Sequence, residues 1–272
     1  MAQPVSNAAS GEVFPRIASA AVLAPAALAI AYVGAPAFEI TLAGIAGVLA
    51  WEWARLCGSR RPSILTALLA AIAVASVLAV AMGMARYALF IVLIGAAAAG
   101  IAEGGDRRAW MMGGAIYIAL PLAMLEWIRV AAPSGRDIVL WLLLVVWASD
   151  TFAYIVGRAV GGPKLAPGIS PKKTWAGLFG AISGAAGVGA LVAFGLGARD
   201  IAAAAGLAAV LGAVGQCGDL LESSIKRRFQ VKDASHLIPG HGGLLDRLDA
   251  LLAAIVGIGV ARLAGWHGAN AW

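Results

Sequence analysis

Long apolar stretches recur along this sequence, and they constrain its fold more than any other feature. A helix needs about 20 predominantly apolar residues to cross the hydrocarbon core of a bilayer. Stretches that reach or approach this length predict nine spans, at residues 17–34, 37–55, 63–83, 86–102, 109–129, 138–157, 175–196, 200–218 and 248–265. Only 12% of the residues are charged, whereas soluble domains carry about 25%. We therefore predict an all-α, polytopic integral membrane protein.

The basic residues predict how these spans are oriented. When the chain is divided at the nine spans, fifteen of its twenty lysines and arginines fall in the N-terminal tail and every second loop, and five fall on the other side. Cytoplasmic loops carry the excess of Lys and Arg, so the N-terminus and both large polar loops are predicted to be cytoplasmic. The net charge of +6 then fits basic loops that face anionic headgroups. The sequence lacks the interleaved basic and aromatic residues of RNA-binding proteins, which argues against a nucleic-acid partner.

The chain is predicted to form one membrane domain over residues 1–272. Residues 1–135 would be a helical scaffold, and residues 136–272 would carry the catalytic helices and the two cytoplasmic loops. The N-terminal sequence lacks the pattern of a removable signal peptide, so its first apolar stretch is predicted to stay as a membrane helix. Cys57 and Cys217 predict neither a disulfide framework nor a metal site. Helices rich in Gly and Ala predict close packing, and they are compatible with a homodimer as well as with a monomer.

The first polar loop and the helix before it combine an intramembrane acid with a Gly-rich, basic stretch. Asp150 precedes Arg158 by about eight residues, which places it roughly 12 Å inside the predicted cytoplasmic helix end at 1.5 Å per residue. An acid at that depth usually faces a polar cavity, which favours a functional role over that of a structural hydrogen-bond acceptor. Ser170, Lys172 and Lys173 follow among glycines and prolines, a setting that can bind phosphate. The same lysines also fit as topology markers.

The second polar loop gathers carboxylates and cations in an otherwise apolar chain. Asp219 and Glu222 are three residues apart, and so are Asp246 and Asp249, so each pair shares one face of a helix. If the two helix ends pack together, their carboxylates form a site suited to Mg²⁺, which binds one or two carboxylates together with phosphate oxygens. Basic residues between the two pairs complement phosphate charge: Lys226, Arg227, Arg228 and Lys232.

Each of these features also has a structural explanation. Glu222 and Lys226 have the spacing of a helix-stabilising ion pair, and acids at positions 246 and 249 suit a helix N-terminus. The glycines around His241 allow a tight turn. These explanations account for single residues but not for the density of charge over about thirty residues. The residues alone therefore predict metal-assisted phosphate chemistry at the cytoplasmic interface.

Two motifs in this sequence resemble the phosphatidate cytidylyltransferases, also called CDP-diacylglycerol synthases. The longer motif extends from Ser223 to Asp249 and fits the family pattern without a mismatch, and the shorter one comprises residues 150–158 and 170–174. The resemblance is residue-specific over about residues 148–249, and the N-terminal half matches only as a multispan scaffold. Ala176 departs from the pattern because many members carry an acid there, so no metal-binding role is assigned to it.

The resemblance implies that CTP and phosphatidate react to give CDP-diacylglycerol and diphosphate, with Mg²⁺ and, in many members, K⁺. It implies that Asp219 and Asp246 hold the metal, with Asp249 as a supporting or second ligand. His241 is assigned a positioning or phosphate-contact role. On this basis we assign the catalytic role to Asp219, Lys226, Arg227, His241, Asp246 and Asp249. We assign substrate binding to Asp150, Ser170, Lys172, Lys173, Ser223, Lys232 and Arg247.

Other activities stay open when only the residues are considered. A CTP-dependent lipid kinase would share the nucleotide and the lipid acceptor. A CDP-alcohol phosphotransferase would need a D-G-x-x-A-R motif, and Gly218-Asp219 reverses its opening pair. An ion-coupled transporter with Asp150 as its coupling site would often show an internal repeat, and none is evident. The resemblance favours cytidylyl transfer, with the site on the cytoplasmic face of a bacterial inner membrane.

Overall fold

The computed structural model of the protein describes residues 8–131, 133–237 and 242–266, with side chains from residue 21 onward. These ranges contain nine α-helices, one for each predicted apolar stretch. The helices are α1 (Ala8–Val33), α2 (Ala37–Leu56), α3 (Pro62–Ala81), α4 (Ala85–Glu103), α5 (Arg108–Val130), α6 (Gly135–Val160), α7 (Trp175–Gly195), α8 (Ile201–Arg228) and α9 (Leu245–Leu263). A short 3₁₀ turn, Gly105–Arg107, precedes α5. The all-α prediction is confirmed.

Helix α8 continues well past the apolar stretch that predicted it. The apolar stretch ends at residue 218, whereas the helix ends at Arg228. Hydropathy marks only the part of a helix suited to hydrocarbon, and backbone hydrogen bonds extend the helix into its polar sequence. As a result, Asp219, Glu222 and Lys226 lie on successive turns of one helix.

Seven helices within the described ranges are long and apolar enough to cross a membrane, namely α2 to α8. Of α1, the part with described side chains, Ala21–Val33, is a shorter apolar helix. Helix α9 has 19 residues, and it carries four charges, at Asp246, Arg247, Asp249 and Arg262. Charged residues are costly at membrane depth. The seven apolar helices make this a polytopic membrane protein. The count of nine spans and the cytoplasmic N-terminus stay predictions.

The helices pack in sequence order, with α5 between the two halves of the chain. Helix α3 packs against α2, α4 and α5, while α6, α7, α8 and α9 form a second series of neighbours. Helix α5 also contacts α2, α6 and α9. Small residues allow close approach in the second series: a Cβ added at Gly218 of α8 would lie 2.5 Å from Ala253 Cβ of α9. The ends of α8 and α9 that carry the two carboxylate pairs are therefore held together, which is the condition for the two pairs to form one site.

The first polar loop contains a β-hairpin that the sequence did not predict. Strands β1 (Lys164–Ala166) and β2 (Ser170–Thr174) are antiparallel, and Lys164 is paired with Thr174. These strands have only three and five residues, so they leave no hydropathy pattern to detect. Thr174 ends β2 and caps α7, because its Oγ1 accepts a hydrogen bond from the Gly177 amide at 3.0 Å. Helix α7 thus begins at residue 175, where the predicted apolar stretch begins.

Candidate active site

The β-hairpin is joined to the bundle by Lys173, which lies on β2. Its ammonium is 2.7 Å from Asp219 Oδ2 and donates a hydrogen bond to Gln216 Oε1 at 2.9 Å. Gln216 in turn donates from Nε2 to Asp150 Oδ1 at 3.1 Å. This chain of contacts connects the hairpin, α8 and α6. It brings together Asp150, Lys173 and Asp219, three residues that the sequence predicted as parts of one site.

The carboxylates of Asp150, Asp219 and Asp249 lie close enough to one another to interact electrostatically. Asp249 is buried at 8% exposure, whereas the Asp219 side chain is 34% exposed. Ser223 Oγ, one helical turn after Asp219, donates a hydrogen bond to Asp219 Oδ1 at 3.2 Å. Like charges in such proximity need a counter-ion, and Lys173 supplies one positive charge from the hairpin side.

Two polar residues of this site were not predicted from the sequence. Gln216 bridges Lys173 and Asp150 through its side chain, as described above. The hydroxyl of Tyr117 on α5 is buried without a hydrogen-bond partner among the described residues, and it is within electrostatic range of Asp219 and Asp249. The only sequence signal was a single polar or amphipathic residue inside an apolar stretch, and such residues often face a polar interior.

Lys226 connects the two carboxylate pairs. Its ammonium forms an ion pair with Glu222 one turn before it and lies 2.5 Å from Asp246 Oδ1. The side chains of Glu222, Lys226 and Asp246 are 0%, 11% and 7% exposed. Removing one partner of such a buried ion pair leaves an uncompensated charge. The charge of Lys226 is therefore engaged by protein carboxylates in this structure.

Asp246 lies in the first turn of α9, ahead of the apolar stretch predicted to span the membrane. Its Oδ2 accepts hydrogen bonds from the amides of Ala234 at 2.9 Å and Gly243 at 2.7 Å. Burial alone would raise the pKa of Asp246, but Lys226 and these two amides outweigh it and hold that pKa below the ordinary value. Asp246 is accordingly a carboxylate at neutral pH.

A second carboxylate, that of Glu52 on α2, holds the same segment. It is fully buried and accepts hydrogen bonds from Ser235 Oγ, the Leu244 amide and the Leu245 amide. The sequence placed Glu52 inside an apolar stretch and assigned no function to it. An ionisable residue within a predicted span was the signal that could have singled it out.

The other predicted site residues lie at the edge of this cluster. Lys172, Lys232 and Arg247 are exposed, and Ser170 is half-buried on β2. Arg247 interacts electrostatically with Asp150. Arg227 is also exposed, and its Nη1 donates a hydrogen bond to the Val231 carbonyl at 3.0 Å. His241 lies outside the described residues.

The described residues contain no group of three or more Asp, Glu, His or Cys side chains gathered closely enough to hold a metal ion. The chemistry of the donors nevertheless suits magnesium, because this cation prefers carboxylate oxygens and phosphate oxygens. In this structure Lys173 and Lys226 provide the cationic contacts of Asp219 and Asp246.

Comparison with known proteins decides which family this architecture represents. Residues 14–262 match the model of the cytidylyltransferase family, a range that includes the whole of the described site. The chain belongs to the cytidylyltransferase family. A phosphatidate cytidylyltransferase of Brucella abortus (strain 9-941) is 37% identical over 246 residues, which cover 88% of this chain and 89% of that protein. A phosphatidate cytidylyltransferase of Pseudomonas aeruginosa is 35% identical over 275 residues, covering 92% of this chain and 97% of that protein. The cytidylyltransferase family is the one that the two sequence motifs indicated.

Proposed function

We propose that this chain is a phosphatidate cytidylyltransferase, which transfers the cytidylyl group of CTP to phosphatidate. The observation that carries the proposal is the cluster of Asp150, Asp219 and Asp249, with Lys173 paired to Asp219, in a chain of the cytidylyltransferase family. The cluster combines negative donors for a cation with positive groups for phosphates. The products are CDP-diacylglycerol and diphosphate.

The reaction is a displacement at the α-phosphorus of CTP. A phosphate oxygen of phosphatidate forms a bond to that phosphorus, the bond from the α-phosphorus to the bridging oxygen breaks, and diphosphate leaves with the electron pair. The attacking phosphate is already ionised near neutral pH, so the protein needs no strong general base. Such displacements are catalysed mainly by positioning and by neutralisation of charge.

The residues that would hold Mg²⁺ are Asp219 and Asp246, with Asp249 as a supporting or second ligand. When bound, magnesium would neutralise charge on the phosphates of CTP and on the departing diphosphate. At Asp246 the cation would replace the ammonium of Lys226, which now lies 2.5 Å from Oδ1. Potassium is proposed as a second cation of the reaction.

The exposed cations around the cluster are proposed to bind phosphate groups of the two substrates. The ammonium and guanidinium groups at the edge of the site are exposed, unlike the buried Lys226, so a ligand can reach them. Lys173 is proposed to position Asp219 from the hairpin, and Asp150 to form the inner wall. His241 keeps its proposed phosphate contact. The phosphate-binding set is Ser170, Lys172, Ser223, Arg227, Lys232 and Arg247.

We place the site at the cytoplasmic face of a bacterial inner membrane, with nine spans and a cytoplasmic N-terminus. Support comes from the distribution of lysines and arginines, fifteen on one side and five on the other. The hairpin and the ends of α8 and α9 all belong to the more basic side. CTP and a membrane lipid would meet there.

The test is the fate of a label in purified protein supplied with phosphatidate and Mg²⁺. With CTP labelled at the α-phosphate, we expect the label in the lipid product and one diphosphate released per lipid converted. Label that reaches the lipid only from the γ-phosphate would instead identify a CTP-dependent lipid kinase. Ion flux into sealed vesicles without nucleotide turnover would identify a transporter. Either of these outcomes would overturn the proposed function.

A further inference from the structure

Glu52 on α2 binds a segment that is distant from it in sequence. Its Oε1 accepts hydrogen bonds from Ser235 Oγ at 2.5 Å and from the Leu244 amide at 2.9 Å, and its Oε2 accepts one from the Leu245 amide at 2.6 Å. The side chain is 0% exposed. A buried carboxylate is costly unless hydrogen bonds compensate for lost hydration. Here all three donors come from the segment that leads into α9.

Glu52 and Asp246 bind neighbouring groups of the same two backbone stretches. In the first stretch, the Ala234 amide donates to Asp246, and the hydroxyl of the next residue, Ser235, donates to Glu52. In the second stretch, residues 243–245, the amide of residue 243 donates to Asp246, and the amides of residues 244 and 245 donate to Glu52. The turn before α9, at residues 243–244, is therefore held jointly by Asp246, a predicted metal ligand, and by Glu52 of α2.

The turn approaches Glu52 as closely as a glycine allows. A Cβ added at Gly243 would lie 2.5 Å from Glu52 Oε1 and 3.0 Å from Ser235 Oγ. Real Cβ atoms essentially never make a contact as short as the first of these. A change in the size or position of Glu52 would therefore be transmitted directly to the backbone ahead of Asp246.

Glu52 also supplies the cap of α9. The first amides of a helix have no acceptor within the helix, and the N-cap residue Leu244 has no side-chain cap of its own. Glu52 satisfies the amides of residues 244 and 245, and its negative charge is favourable at a helix N-terminus. The first turn and a half of α9 carries both Asp246 and Asp249.

We propose that Glu52 is a positioning residue for cytidylyl transfer. It fixes the turn before α9 and so sets where Asp246 and Asp249 present their carboxylates, without contacting substrate itself. Residues that orient metal ligands usually change metal affinity or activity by about 10–100-fold when they are replaced. This role rests on the proposed function, and it gives α2, in the predicted scaffold half, a direct part in the site.

The test is Glu52→Gln, which keeps the side-chain size but replaces one acceptor oxygen with an amide group that cannot accept from N–H. We expect kcat to fall about 10–100-fold and the Mg²⁺ concentration for half-maximal activity to rise. KM for phosphatidate should stay within about twofold, because binding of the lipid is not what changes. Amide hydrogen exchange over residues 242–250 should become faster. Glu52→Asp keeps the charge but has a shorter side chain, which places the carboxylate farther from its donors. Its kcat, Mg²⁺ dependence and exchange rates should lie between those of the wild type and Glu52→Gln.

Glu39→Gln is the matched control, since Glu39 lies in the first turn at the other end of α2. It should leave kcat and the Mg²⁺ dependence unchanged. The role of Glu52 would be overturned if folded Glu52→Gln had the kcat, Mg²⁺ dependence and exchange rates of the wild type. It would also be overturned if a smaller folded fraction fully explained the loss of activity. If Glu52→Gln does not fold, the same values in Glu52→Asp decide. An inactive wild-type protein would instead overturn the proposed function.

Discussion

The ammonium of Lys173 lies 2.7 Å from Asp219 Oδ2 and so joins the β-hairpin to α8. The two side chains are 16% and 34% exposed, and partly exposed ion pairs contribute little to stability, typically about 0–1 kcal/mol. The pair is therefore better explained by function than by stability. It brings a positive charge from one polar loop into the carboxylate cluster of the other.

Lys172 and Lys173 are adjacent in sequence but should differ in their effects on catalysis. Lys173→Ala removes the counter-ion of Asp219, and we expect kcat to fall about 100-fold. Lys172 is exposed, so Lys172→Ala should raise KM for CTP or phosphatidate about fivefold, equivalent to roughly 1 kcal/mol, with little change in kcat. Steady-state kinetics in detergent micelles would measure both. Equal effects of the two substitutions on kcat would contradict the proposed arrangement.

Asp246→Asn should nearly abolish turnover. The substitution removes the charge that pairs with Lys226 and the proposed metal ligand, and we expect at least about a 100-fold loss of CDP-diacylglycerol formation. Asp200→Asn is the control: Asp200 caps the opposite end of α8 by accepting from the Ala203 amide, and asparagine is an equally good cap. Near-normal activity of folded Asp246→Asn would exclude Asp246 as a metal ligand.

The close packing of α8 on α9 should make Gly218 intolerant of a side chain. A Cβ at this position would lie 2.5 Å from Ala253 Cβ and 2.8 Å from the Asp249 carbonyl oxygen. Overpacking of this kind costs about 1–3 kcal/mol, so Gly218→Ala should lower the thermal midpoint and reduce activity by displacing Asp249. A Cβ at Gly206 on the same helix would have no atom of the described residues within 4 Å, apart from its chain neighbours and the adjacent helix backbone. Gly206→Ala should therefore be neutral, and a similar loss in both variants would refute the packing explanation.

Removal of divalent cations should stop the reaction without unfolding the protein. Treatment with EDTA is expected to abolish diphosphate release, and added Mg²⁺ to restore it. Ca²⁺ should restore little, because it prefers longer bonds and a higher coordination number. Replacement of K⁺ by Na⁺ at fixed Mg²⁺ tests the second proposed cation. Full activity in EDTA would show that Asp219, Asp246 and Asp249 serve a purpose other than metal binding.

The sequence predicted the helices better than their polar ends. Nine apolar stretches correspond to nine helices of the described residues, because hydropathy reflects the solvent that each helix contacts. The hairpin at residues 164–174 was not predicted, and the apolar stretch by itself placed the end of α8 at residue 218 rather than at Arg228. Both depend on backbone hydrogen bonds in polar sequence, where hydropathy carries no information.

The sequence by itself determined the helical class, the spacing that puts Asp219 beside Glu222 and Asp246 near Asp249, and the family that these motifs indicate. These properties are local, since they follow from residue type and from the 3.6-residue period of a helix. Only the tertiary structure decided that Lys173 pairs with Asp219, that Lys226 bridges Glu222 and Asp246, and that Glu52 holds the turn before α9. Glu52 and the Leu245 amide are separated by 193 positions. A contact over that distance arises from how α2 and α9 pack, which no local pattern in either segment specifies.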